Sequence, residues 1–127
     1  MWDWLLARWR PQQTPTEPLA PPSRRLKQYT SNEGIVYEYL LHRSPAPLTW
    51  VFLVRTGPQP CQELTVRIPF EPLSRWESRH QTRLRRQEQY AVAKLALFRR
   101  LEEGTTSGQT AITDDELAEV LAELDLR

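Results

Sequence analysis

Three short runs of alternating apolar residues, followed by one long alanine-rich amphipathic segment, constrain this chain more than anything else in it. The cleanest run is 63–70, where Leu64, Val66, Ile68 and Phe70 share one face and Glu63, Thr65 and Arg67 take the other. Period two with a single apolar face is the pattern of a strand covered on one side. Residues 48–55 alternate Trp50, Phe52 and Val54 against Thr49, Val51, Leu53 and Arg55, and residues 36–41 are rich in β-branched and aromatic side chains. Ser44-Pro-Ala-Pro47 and Gly57-Pro-Gln-Pro60 separate the runs with turn chemistry. Connections that short predict an antiparallel meander, and its apolar face needs a cover. The segment beginning at Leu84 supplies one: Tyr90, Ala93, Leu97 and Leu101 recur at three- and four-residue spacing, widened by Ala91, Leu95 and Phe98. Arg85 and Arg86 open this helix and Gly104 closes it. Ahead of the strands, residues 23–31 read as a helix of two turns at most, with Ser23 as N-cap and Leu26 and Tyr29 as apolar contacts.

The segments outside this core have characters of their own. Residues 1–10 place Trp2, Leu5, Leu6 and Trp9 on one face at helical spacing, an apolar patch suited to a protein groove, a membrane interface or this chain's own sheet. Residues 11–22 contain five prolines and favour an extended, polyproline-like linker. Residues 104–111 read as a flexible Gly/Ser/Thr link, and 112–127 as an acidic amphipathic helix. There Thr113 and Glu116 form a capping box, Ile112 and Leu117 a hydrophobic staple, and Leu117, Val120, Leu121 and Leu124 an apolar stripe. That stripe must bury against either this chain's own sheet or a partner's groove.

A chain of 127 residues has room for one small domain plus tails. Seventeen basic against sixteen acidic residues leave a net charge of +1, so no global positive field draws in nucleic acid. Local asymmetry is strong, however. Arg75, Arg79, Arg83, Arg85, Arg86, Lys94, Arg99 and Arg100 stand against Glu71, Glu77 and Glu88, whereas the C-terminal end carries Asp114, Asp115, Glu116, Glu119, Glu123 and Asp125. Solvated helix faces account for this polarity as well as a functional surface does. Arg75, Arg79 and Arg83 lie four residues apart with Trp76 and His80 interleaved, and form a basic stripe if the segment is helical. Arginine's planar fork suits phosphate and carboxylate equally.

Catalytic chemistry finds little support. Cys61 is the single cysteine, which excludes an intramolecular disulfide, a multi-thiolate zinc site and a paired-cysteine redox motif, and fits a reducing compartment. His42 and His80 fall in different elements with no nucleophile motif beside either, and four glycines leave no room for a phosphate loop. No run of about eighteen apolar residues occurs, and residues 1–10 lack the layout of a secretory signal. The expectation is a cytoplasmic protein that is not an enzyme, with no cofactor, metal or small-molecule substrate.

From about residue 23 to 103 the chain resembles the double-stranded-RNA-binding domain. Val36-Tyr-Glu-Tyr-Leu-Leu41 is similar to the family's first strand, Ser44-Pro-Ala-Pro47 stands in place of its Gly-Pro-x-His loop, and Trp50 in place of the aromatic that opens its second strand. Arg85-Arg86-Gln-Glu-Gln89 and the small residues after it look like the family's Lys-Lys-x-x-Lys helix start. The resemblance implies an α+β fold: a short helix, a three-stranded antiparallel sheet and a long C-terminal helix, here with terminal amphipathic helices added. It also implies contact with RNA through Arg24, Arg25, Lys27 and Gln28 in a minor groove and through Arg85 and Arg86 on phosphates. Ser44, Pro47 and Gln89 depart from the family's RNA-binding pattern, and the passage from third strand to helix is longer, which adds Arg75, Arg79 and Arg83. The function that follows is an adaptor docking on a larger protein or ribonucleoprotein complex, with Trp2, Leu5, Leu6, Trp9, Leu117, Val120, Leu121 and Leu124 as docking residues. The alternatives are a binder of structured RNA and a peripheral membrane protein held by residues 1–10.

Overall fold

The computed structural model describes residues 26–124. Along the chain run β1 (Lys27–Thr30), β2 (Val36–Ala46), β3 (Thr49–Thr56), β4 (Gln62–Arg67), α1 (Phe70–His80), α2 (Arg86–Glu102), β5 (Gly108–Ala111) and α3 (Asp114–Glu123). The strands form one five-stranded sheet in the order β1-β2-β3-β4-β5. The first four pair antiparallel, and β5 lies parallel to β4. A parallel neighbour requires a crossover, which α1 and α2 provide.

The meander and its cover form as the alternation predicts. Tyr37 and Tyr39 of β2, Trp50, Phe52 and Val54 of β3, and Leu64 and Val66 of β4 all join the core. On α2, Val92, Ala93, Ala96 and Leu97 are completely buried. The two alanines leave no side chain to hold the helix away from the sheet. Gly104, at φ +84°, follows the end of α2 in the left-handed conformation, and the next amide, that of Thr105, donates to the Arg100 carbonyl at 2.9 Å.

The predicted helix–three strands–helix order is not the order of this chain. Where a short first helix was expected over 23–31, the described part is a strand: Lys27 to Thr30 pair with Tyr39 to Val36. The exposed edge of β2 supplies hydrogen bonds that two turns of isolated helix would not recover, because a short helix is marginal alone. Tyr29 then faces α2 and stacks on Phe98 with ring centroids 4.4 Å apart, and its hydroxyl donates to the Glu102 carboxylate.

The expected link over 104–111 contains β5, whose residues Gly108 to Ala111 pair with Leu64 to Arg67. The unit assigned to 23–103 therefore extends to α3. Leu117, Val120 and Leu121, expected to dock on a partner, are buried in the chain's own core, with Leu124 packed partly against it. Its own sheet and helices complete that apolar stripe, so these residues offer no free docking face. The Thr113 hydroxyl does accept from the Glu116 amide at 3.1 Å, but the Glu116 carboxylate pairs with Arg100 and does not complete the capping box.

Phe70 departs from its run as well. Pro69 becomes the N-cap of α1, the alternation stops there, and Phe70 is left 70% exposed on the first turn of a helix. The predicted terminal helix over 1–10 and the proline linker over 11–22 lie outside the described residues.

Candidate functional site

The charge poles seen in the sequence largely meet inside the fold. Arg75 of α1 pairs with Asp114 at 2.6 Å, Arg99 with Glu119 at 2.8 Å and Glu123 at 3.5 Å, and Arg100 with Glu116. The acidic face of α3 thus lies on arginines of α1 and α2. Hydrogen bonding to Glu119 and Glu116 holds Arg99 and Arg100 above the ordinary guanidinium value.

Four of the arginines that α3 does not neutralise lie along the junction of α1 and α2. Gln81, at φ +50°, ends α1 with a left-handed residue. The Leu84 amide donates to Glu77 Oε2 at 2.9 Å, and Leu84 itself is buried. Arg83 and Arg85, on either side of it, are exposed, as are Arg79 and Arg86. Among the described residues Arg79, Arg83 and Arg86 form no ion pair, and Arg85 reaches only Glu88, at 3.6 Å, with three-quarters of its side chain exposed.

Beside this arc runs a groove of about 560 Å³ lined by Leu41, Trp50, Arg85, Arg86, Gln87 and Tyr90. A second hollow, of about 460 Å³, continues it along the β2–β3 hairpin past Ser44, Pro45, Pro47 and Leu48. Trp50 is buried, Leu41 and Tyr90 are half-buried, and the arginines and Gln87 stand exposed around them. The Tyr90 ring stacks at 6.2 Å from Phe52, and burial pushes its hydroxyl up to about 12. The hairpin closes on Pro47 and Leu48, with Leu48 at φ +60°, a conformation costly for a branched side chain. Its carbonyl accepts from the Ile68 amide at 2.9 Å and its side chain packs on the core, which holds it there.

The start of α2 is not an open phosphate cradle. The Arg85 amide donates to Glu88 Oε1 at 2.7 Å, so a carboxylate already occupies the positive end of the helix. This counts against the phosphate grip expected of Arg85 and Arg86, both of which are exposed. Lys27 and Gln28 adjoin in a strand and so point to opposite sides of the sheet, Lys27 beside Tyr39 and Gln28 beside Glu38. They do not form one contact surface. Arg24, Arg25, Trp2, Leu5, Leu6 and Trp9 lie outside the described residues.

Of the predicted basic set, Arg79, Arg83, Arg85 and Arg86 are exposed along the α1–α2 junction, Arg85 and Arg86 line one groove, and Arg75 is committed to Asp114. The groove's Leu41, Gln87 and Tyr90 were not foreseen as site residues. Tyr90 stands four residues after Arg86, so a shared helix face was the available signal. No group of three or more metal-ligating side chains is present among the described residues, and no described helix is long and apolar enough to cross a membrane. Comparisons with protein-family models, with curated proteins and with solved structures gave no match for this chain.

Proposed function

We propose that this chain is a non-enzymatic binding subunit that docks on an acidic surface of a partner protein in a larger assembly, through Arg79, Arg83, Arg85 and Arg86. The observation that carries the reading is the contrast in pairing. Arg75, Arg99 and Arg100 spend their charge on α3, while among the described residues the four arginines at the α1–α2 junction remain exposed with one long contact to Glu88 between them. Exposed guanidinium groups that share a surface raise the encounter rate with an acidic partner and fix its orientation. With Glu88 already filling the anion position at the start of α2, the exposed guanidinium groups and not the helix end would make the contact.

The test is retrieval of the tagged full chain from extract with and without ribonuclease, beside a variant carrying Arg83→Glu and Arg86→Glu. Partners that survive ribonuclease and vanish with the charge reversal support the reading. Partners released by ribonuclease, together with duplex-RNA affinity that falls steeply with salt, overturn it in favour of RNA.

A further inference from the structure

We infer that the groove lined by Leu41, Trp50 and Tyr90 is the docking site of this chain's own proline-rich segment, residues 15–22. The segment reads Pro15-Thr-Glu-Pro18-Leu-Ala-Pro21-Pro22. Polyproline II has three residues per turn, so Pro15, Pro18 and Pro21 fall along one edge of such a helix. An edge of prolines against an aromatic-lined groove is a recurrent recognition mode, because the peptide is already ordered and loses little entropy on docking. Glu17 is the one charged residue in 11–22, and the groove it would meet carries Arg85 and Arg86.

The position at which the chain enters the fold supports this occupant over any other. Lys27 pairs with Tyr39 and Thr30 with Val36. Followed from Thr30 back to Lys27, β1 therefore runs beside β2 from Val36 to Tyr39, in the direction of Leu41 and the hairpin at Ser44–Leu48. The helix side agrees: β1 follows α2 upward, with Tyr29 on Phe98 and Tyr29 and Asn32 bonded to Glu102. The start of β1 thus points back toward Tyr90 and Arg86. Leu26 is buried, which sets the direction of entry up to that residue. Two residues of strand, about 7 Å, separate Tyr39 from Leu41. The four residue steps from Leu26 back to Pro22 span up to about 14 Å. Polyproline II then carries residues 15–22 about 22 Å further, in the direction of the groove and the hollow beside the hairpin.

The test is nuclear Overhauser spectroscopy on the isotope-labelled full chain without any partner, so it does not depend on the arginine surface. Expected are contacts from the ring protons of Pro15, Pro18 and Pro21 to the Trp50 indole and the Tyr90 ring. In a Pro15→Ser, Pro18→Ser, Pro21→Ser variant these are lost and the Trp50 and Tyr90 resonances move, while the Val54 and Val66 methyl signals stay in place. Absence of the contacts in the native sequence, or Trp50 and Tyr90 signals unchanged by the substitutions, overturns the inference. Contacts that appear only between differently labelled chains in a mixed sample overturn it in favour of a second copy's segment.

Discussion

Arg100 of α2 and Glu116 of α3 form a bidentate ion pair, with Nη1 and Nη2 at 2.8 and 2.5 Å from the two carboxylate oxygens. The side chains are only 13% and 11% exposed, and Arg100 Nε also donates to the Thr110 hydroxyl of β5 at 2.7 Å. One guanidinium thus joins the long helix, the parallel edge strand and the last helix. The same pair diverts Glu116 from its capping box and uses charge that the sequence presents as a surface pole.

Glu116→Ala leaves Arg100 nearly buried without a counter-charge, and breaking such a pair costs about 3 kcal/mol. Urea denaturation should show that loss. Replacing both partners, Arg100→Met with Glu116→Leu, should recover most of it, since the uncompensated charge is then gone.

Leu121 separates the two roles open to the last helix. It is 1% exposed, so Leu121→Ala should cost about 3 kcal/mol in the isolated protein and lower the thermal midpoint well beyond the effect of Ala122→Ser on the exposed face. Deletion of 112–127 should unfold the domain, seen as lost dispersion in the amide spectrum. A helix docked only on a partner would leave the isolated protein unchanged in both experiments.

Glu88→Gln tests the guarded start of α2. The carboxylate accepts from the Arg85 amide, and losing its charge at the positive end of the helix should cost about 0.5 kcal/mol. The same change removes the charge that repels anions, so weak duplex-RNA binding at low ionic strength should strengthen. Unchanged RNA affinity would show that Glu88 does not govern this surface.

Lys94 gives a pH signature. Burial, and then the Lys27 ammonium, lower it from 10.5 to about 8. Between those values the unfolded chain holds more protons than the folded one, so stability rises with pH through that window and the penalty is complete below about 8. Urea midpoints for the native sequence should therefore climb from pH 7 to pH 9.5, and Lys94→Met should flatten most of the climb. At pH 7 the gain from Lys94→Met should stay below about 1 kcal/mol, because water screens the part-exposed ammonium and the contact with Tyr90 is lost. Above pH 10 the trend reverses, since Tyr29 and Tyr90 ionise only near 12 in the fold.

Much of the frame was legible along the chain. Leu64, Val66 and Ile68 mark a covered strand, Trp50, Phe52 and Val54 mark its neighbour, and Ala93, Leu97 and Leu101 mark the helix that covers both. In each case period and face are local properties. The arginine stripe was legible in part: Arg75 and Arg79 lie on α1, but the helix ends at His80 and left-handed Gln81 puts Arg83 beyond it. That Arg75 would be neutralised by Asp114, thirty-nine residues on, was not.

Composition and period determined that this chain builds a sheet with one apolar face, an alanine-faced helix to cover it and a capped last helix. Only the tertiary structure decided which edges that sheet would acquire. Lys27-Gln-Tyr-Thr30 and Gly108-Gln-Thr-Ala111 are short and lack the alternating apolar face of the other strands, and they become strands because β2 and β4 present unpaired backbone groups to them. It decided, too, that the acidic helix would satisfy this chain's own arginines. Pairing of edges and of charges depends on which distant segments are brought together, and no local pattern encodes that.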